Sequence, residues 1–195
     1  MIPSQRYLFD IPDTVTYFNC GYMSPQLKAV RAAGHYGVDR KSSPWEVTPA
    51  DFFTLPEQAR GLFSQLVNAN ATSIAIIPSA SYGLAIAAKN ISASAGQKIL
   101  ILQDQFPSNV YCWQELSART GAEIVTINTP ADYDWTTAVL AAIDDDTALA
   151  ALGHIHWTDG SLLDLEAIGR KLRKHGAKLV LDITQSIGAL PFDVA

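Results

Sequence analysis

Cysteine is scarce here: the 195 residues hold two, Cys20 and Cys112. They lack the spacing of a metal or redox pair, and a chain of this length needs no disulfide to fold, so a reducing, cytoplasmic setting is expected. No basic segment followed by an apolar run opens the sequence, and no apolar stretch approaches the roughly 18 to 20 residues that span a bilayer, so no membrane partner is expected. Positive charge is also in deficit, with 14 Lys and Arg against 19 Asp and Glu and a net charge of −5. The densest basic cluster, Arg170, Lys171, Arg173 and Lys174, falls toward the end of a predicted helix, where the helix dipole favours cations. Nucleic acid is therefore not expected as the main partner. There is no GxGxxG and no GK[ST], which removes the dinucleotide fingerprint and the Walker loop. Repeats, low-complexity tracts and linkers are missing too.

What is present is enough apolar content, 48%, to bury one sizeable core. From residue 74 onward, short runs rich in β-branched residues alternate with helical patterns, the signature of an α/β fold with a parallel sheet. Strands are predicted at 74–77, 98–102, 123–127, 147–152 and 178–182, and their near-continuous hydrophobicity fits burial on both faces. Helices are predicted at 82–90, 108–120, 135–143 and 162–175, with Gly121 and Gly176 as C-terminal caps. Before residue 71 the pattern changes. Ser24-Pro25 and Thr48-Pro49 each set a capping side chain before a proline suited to a first helical position, so residues 1–70 are expected to be a helical arm. Residues 71–195 then form the sheet domain. The last residues, from Pro191, resemble the entry into a further element, and the sheet is expected to lack later strands.

Ligands of parallel sheets sit beyond the carboxyl ends of the strands. The loop after residues 74–77, Pro78-Ser79-Ala80-Ser81-Tyr82-Gly83, offers amides and hydroxyls to a phosphate, or a helix cap for stability alone. After residues 98–102, Phe106 is placed to stack on a flat ligand, or to serve as core or interface. After residues 147–152, His154 and His156 alternate along an extended segment, but no third ligand accompanies them, so structural histidines are expected and no metal. Asp182 ends an all-apolar strand, where a carboxylate needs a cation or strong donor, such as a protonated pyridine nitrogen, unless it caps the next turn.

Together and in order, these loops resemble the large domain of the class V, fold-type I enzymes that use pyridoxal 5′-phosphate (PLP). That group comprises cysteine desulfurases, selenocysteine lyases, isopenicillin N epimerase-like proteins and kynureninases. The resemblance runs from Tyr17-Phe18-Asn19-Cys20-Gly21 to Pro191-Phe192-Asp193-Val194 and is most specific from Asp164 to Ala189. It implies a three-layer α/β sandwich with a mainly parallel sheet, PLP as cofactor, an amino acid substrate and a homodimer. By position, Asp182 is similar to the aspartate that pairs with the pyridine nitrogen and Gln185 to the glutamine at the phenolic oxygen. Ala80 and Ser81 stand at the phosphate-binding pair; Phe106 falls where many relatives stack a histidine, and Phe106-Pro107-Ser108-Asn109 at that place resembles the epimerase-like branch. Asn19 and Gly21 lie where the family's amino-terminal segment approaches the substrate.

There are departures from the family pattern. Trp157 stands where desulfurases carry an asparagine, and neither Cys20 nor Cys112 matches their nucleophile. None of Lys89, Lys98, Lys171, Lys174 or Lys178 matches the Schiff-base lysine. The resemblance therefore implies an amino-terminal portion without covalent cofactor attachment and inactive as given. A non-catalytic fragment or phosphate-ligand binding module of the same fold is the alternative, and an unrelated Rossmann-like nucleotide binder a second.

Overall fold

The computed structural model describes residues 3–194. The chain divides into two compact units, one comprising Met1–Ala75 with Asp193–Ala195 and the other Ile76–Phe192.

The first unit carries two α-helices, α1 (Lys28–Asp39) and α2 (Thr54–Leu66), joined by short 3-10 turns. The Thr48-Pro49 signal acts as expected, opening the turn Pro49–Phe52, and Asp51 Oδ2 accepts from the Thr48 amide (2.7 Å) and hydroxyl (2.8 Å). Ser24-Pro25 does not start a helix. The Ser24 hydroxyl turns to the Pro25 carbonyl, and α1 begins three residues after that proline, at Lys28, without a side-chain cap. Arg60 ties α2 to the chain that follows it, donating to the carbonyls of Ile74 (2.7 Å) and Ala71 (2.8 Å).

The second unit is built from α3 (Ala80–Asn90), β1 (Lys98–Leu102), α4 (Ser108–Thr120), β2 (Glu123–Ile127), α5 (Trp135–Ala142), β3 (Thr147–Gly153), α6 (Leu165–Lys174) and β4 (Lys178–Asp182). All pairings are parallel, in the order β2-β1-β3-β4. Strand alternation divides the core. Leu100, Leu102, Ala150 and Leu152 face Trp135 and Val139 of α5 and Ile168 and Leu172 of α6. Ile99, Ile101, Leu149 and Ala151 face Leu84 of α3 and Trp113 and Leu116 of α4. Two helical layers thus cover both sheet faces, which is why β1 is apolar after Lys98 and β3 after Thr147. Each large side chain so buried contributes about 1.5 to 3 kcal/mol.

Helix ends follow local chemistry. Gly121 (φ 76°) and Gly176 (φ 69°) take the left-handed conformation that closes α4 and α6. The predicted helix at 162–175 starts later, at Leu165, because Asp164 caps it by accepting from the Ala167 amide (2.9 Å). The strand expected at 74–77 is not one. The segment after Ser73 is extended but pairs with no strand among the described residues, and Ile76 and Ile77 stay exposed. An apolar run has strand character only where a neighbour accepts its hydrogen bonds.

From β1 the chain steps to β2 on one side, then returns through α5 to β3 on the other side of β1. The strand order therefore reverses between β1 and β3, the switch point at whose carboxyl ends a crevice opens.

Candidate functional site

A small cleft occupies that position. Phe106, Trp157, Asp182 and Gln185 line it from three different strand exits, with Gln105 and His156 behind them. Three of the expected residues, Phe106, Asp182 and Gln185, are thus brought together.

Asp182 stands opposite Gly153 in the ladder, so the ends of β3 and β4 are level. Its Oδ1 accepts from the Thr184 amide (3.0 Å) and hydroxyl (2.5 Å), an Asx-type turn that fixes the carboxylate at the cleft. The capping role weighed for this residue is present at Oδ1.

Phe106 meets Trp157 edge to face, with ring centroids 5.3 Å apart. The Trp157 indole N–H donates to the Asp104 carbonyl (2.7 Å). Its polar atom is therefore committed to the loop, and Trp157 supplies a wall rather than the asparagine-like donor of desulfurases. Asp104 itself has φ of 53°, a conformation that costs a non-glycine residue roughly 1 to 2 kcal/mol.

Ser81 and Phe106 border an adjacent, open hollow with Pro107, Tyr111 and Cys112. Ala80 and Ser81 are the first two residues of α3, whose cap is Ser79, accepting from the Tyr82 amide (3.2 Å). The free amides of that first turn carry the positive end of the helix dipole. Burial pushes the Cys112 thiol above its ordinary value, which makes it a poor nucleophile. Asn19 and Gly21 belong to the first unit, in a turn where the Met23 amide donates to the Asn19 carbonyl (3.1 Å).

The sequence reading missed the polar groups beneath the cleft. Gln105 is buried and donates through Nε2 to the carbonyls of Asn109 (2.7 Å) and Ala151 (3.0 Å), while its Oε1 has no partner. Asn109 accepts from the Trp113 indole (2.8 Å), and its Nδ2 is likewise unpaired. Only their place after a strand end hinted at this. His154 was expected to be satisfied, yet its Nδ1 is buried without a partner, and burial holds its pKa below the ordinary value. The two alternating histidines have different surroundings: His154 lies against Phe192, and His156 stacks on Trp135.

A parallel, doubly covered sheet, with an aromatic and a carboxylate facing one crevice at its switch point, defines an α/β domain of the three-layer type. The class-V aminotransferase profile matches residues 34–195, and the chain belongs to that family, whose cofactor is PLP. It is 31% identical over 138 residues to an uncharacterized aminotransferase, YcbU, of Bacillus subtilis, covering 71% of this chain and 36% of that protein. It is 25% identical over 200 residues to kynureninase of Burkholderia mallei, covering 97% and 47%. Among solved structures, a mutant of C-DES with glycine covalently linked to its PLP cofactor superposes with a TM-score of 0.83 at 24% identity, covering 97% of this chain and 52% of that one. The cysteine desulfurase CsdA of Escherichia coli gives 0.77 at 19%, covering 97% and 50%. The chain spans about a third to a half of the length of these relatives.

Proposed function

We propose that the cleft seats the pyridine ring of PLP, and that the protein acts on an amino acid. The observation that carries this is the pairing of a fixed carboxylate, Asp182, and a ring, Phe106, in one crevice. When bound, PLP supplies an electron sink for carbanion chemistry at an amino acid. Asp182 Oδ2 holds a proton on the ring nitrogen, and the Thr184 bonds keep the carboxylate from turning away. Phe106 covers one face of the ring and excludes water from it. Gln185 donates to the phenolic oxygen, and the first turn of α3, with Ala80 and Ser81, receives the phosphate.

The lysines of the second unit do not stand at these strand exits: Lys98 and Lys178 open β1 and β4 at the opposite end, and Lys89, Lys171 and Lys174 lie on helices. None of these five lysines is therefore placed to hold the ring covalently. A homodimer in the cytoplasm completes the reading. The large exposed aromatics of the first unit, Trp45 and Phe52 among them, support a protein partner, and no helix among the described residues is long and apolar enough to cross a membrane.

Titrating the chain with PLP by absorbance tests the reading. One saturable site is expected, weakened by about 1 to 2 kcal/mol in Ser81→Ala, the scale of one hydrogen bond to a charged group. Binding that ignores Ser81→Ala would remove the phosphate from the α3 turn.

A further inference from the structure

The loop that carries Phe106 leaves β1 through a residue in an unfavourable conformation, and two side chains of the β3 exit hold it there. The two peptide carbonyls that flank Asp104 are each clamped. His156 Nε2 lies 3.0 Å from the Gln103 carbonyl, and Trp157 Nε1 lies 2.7 Å from that of Asp104. With both peptide planes pinned, the left-handed turn at Asp104 is set, and so is the direction in which Gln105 and Phe106 depart.

Trp157 is exposed, but His156 is 3% exposed and held on every side. A carbonyl only accepts, so Nε2 is the donor. Nδ1 faces the Thr158 hydroxyl (2.9 Å) and Asp159 Oδ2 (3.1 Å), and the ring stacks on Trp135 with centroids 4.6 Å apart. Asp159 is anchored in turn by the Ser161 amide (2.7 Å) and the Trp135 indole (3.0 Å). Burial pushes its carboxyl up, but these donors and His156 outweigh that and hold it below the ordinary value. The imidazole is thus held between the Thr158 hydroxyl at Nδ1 and the Gln103 carbonyl at Nε2, and Asp159 fixes the indole of Trp135 that stacks on it, an arrangement that sets the ring's orientation.

We propose that His156, oriented by Asp159, is a positioning residue that fixes the β1 exit loop and thereby the ring of Phe106 over the cleft. Its bearing on the cofactor rests on the PLP reading above; its bearing on the loop does not.

The test uses two substitutions that differ in reach. In His156→Gln the amide nitrogen can occupy the place of Nε2 and donate to Gln103, whereas in His156→Asn it stops short. Hydrogen exchange is read at the amides of Gln103, which donates to the Ile127 carbonyl, and Thr129, which donates to Gln103 Oε1. Exchange at both is expected to rise about tenfold in the Asn variant and to stay near wild type in the Gln variant. PLP dissociation constants should follow the same order, about tenfold weaker for Asn. Asp159→Asn, which preserves the packing, is the second variant should His156→Asn fail to fold, and faster exchange at the same amides is expected there. Unchanged exchange in His156→Asn and Asp159→Asn, or equal loss in the Gln and Asn variants, overturns the proposal by reducing His156 to packing. If the exchange pattern holds but the unmodified chain binds no PLP, the clamp stands and the PLP reading falls.

Discussion

The two ends of the sheet obey different rules. At the amino-terminal end the charged groups satisfy one another. Lys98 of β1 bonds Asp144, whose Oδ1 also meets the Thr147 hydroxyl (3.2 Å), and His175 after α6 meets Asp145 (2.6 Å). At the carboxyl-terminal end, Gln105, Asn109 and His154 each bury an unpaired polar atom. Such atoms cost about 1 to 3 kcal/mol each, so the second end spends stability that the first end and the core supply. The lesson is that, in one unit with one core, binding capacity is found where the polar groups are not yet matched.

The largest expected effect comes from removing the support beneath the carboxyl-terminal end. Trp113 is fully buried and holds Asn109. Trp113→Ala should lower unfolding stability by about 3 to 5 kcal/mol in urea titrations. A loss under 1 kcal/mol would mean that the α4 layer is not the foundation of the site. Next is Asp182→Ala, which should weaken PLP binding by about 10- to 100-fold, the worth of a charge-assisted bond, while stability changes by only about 1 kcal/mol. Equal losses of binding and stability would make Asp182 a turn residue and erase the contrast between the ends.

Smaller effects depend on pH. His154 has a folded-state pKa below its unfolded value near 6.5. Protons therefore favour the unfolded chain, and the stability that the neutral ring permits is complete above pH 6.5 and declines as the pH falls below it. A His154→Gln variant should flatten that decline in unfolding curves between pH 8 and about 5.5. At the other end, Asp144 is held below its ordinary 3.8 by the bond from Lys98, and Lys98 above its ordinary 10.5 by Asp144. The pair's contribution is lost only as the pH falls through the lowered carboxyl value or rises through the raised amine value. Lys98→Met should thus change neither the neutral pH profile nor PLP affinity, and a marked loss of affinity would join the two ends functionally.

Much of this contrast was legible in the residues. The strands at 98–102, 123–127 and 178–182 coincide with β1, β2 and β4, because continuous apolar runs between turn signals leave little choice. Asp182 and Phe106 stood out as a carboxylate and an aromatic at strand exits. Where reading failed, the deciding fact was a partner elsewhere in the chain. Residues 74–77 have strand composition but no strand beside them. Gln105 looked like an ordinary loop residue because its burial follows from reaching the Ala151 carbonyl on β3, 46 positions away. His156 is the same case, since its role lies in a carbonyl 53 positions distant.

The central claim, that Asp182 holds the proton of a bound pyridine ring, is tested most directly by ¹⁵N magnetic resonance of PLP labelled at its ring nitrogen. Bound to the unmodified chain at pH 8, the nitrogen should report a protonated ring, and bound to Asp182→Asn an unprotonated one. The same nitrogen signal in both proteins, or a free-ligand signal at saturating protein, would contradict the account.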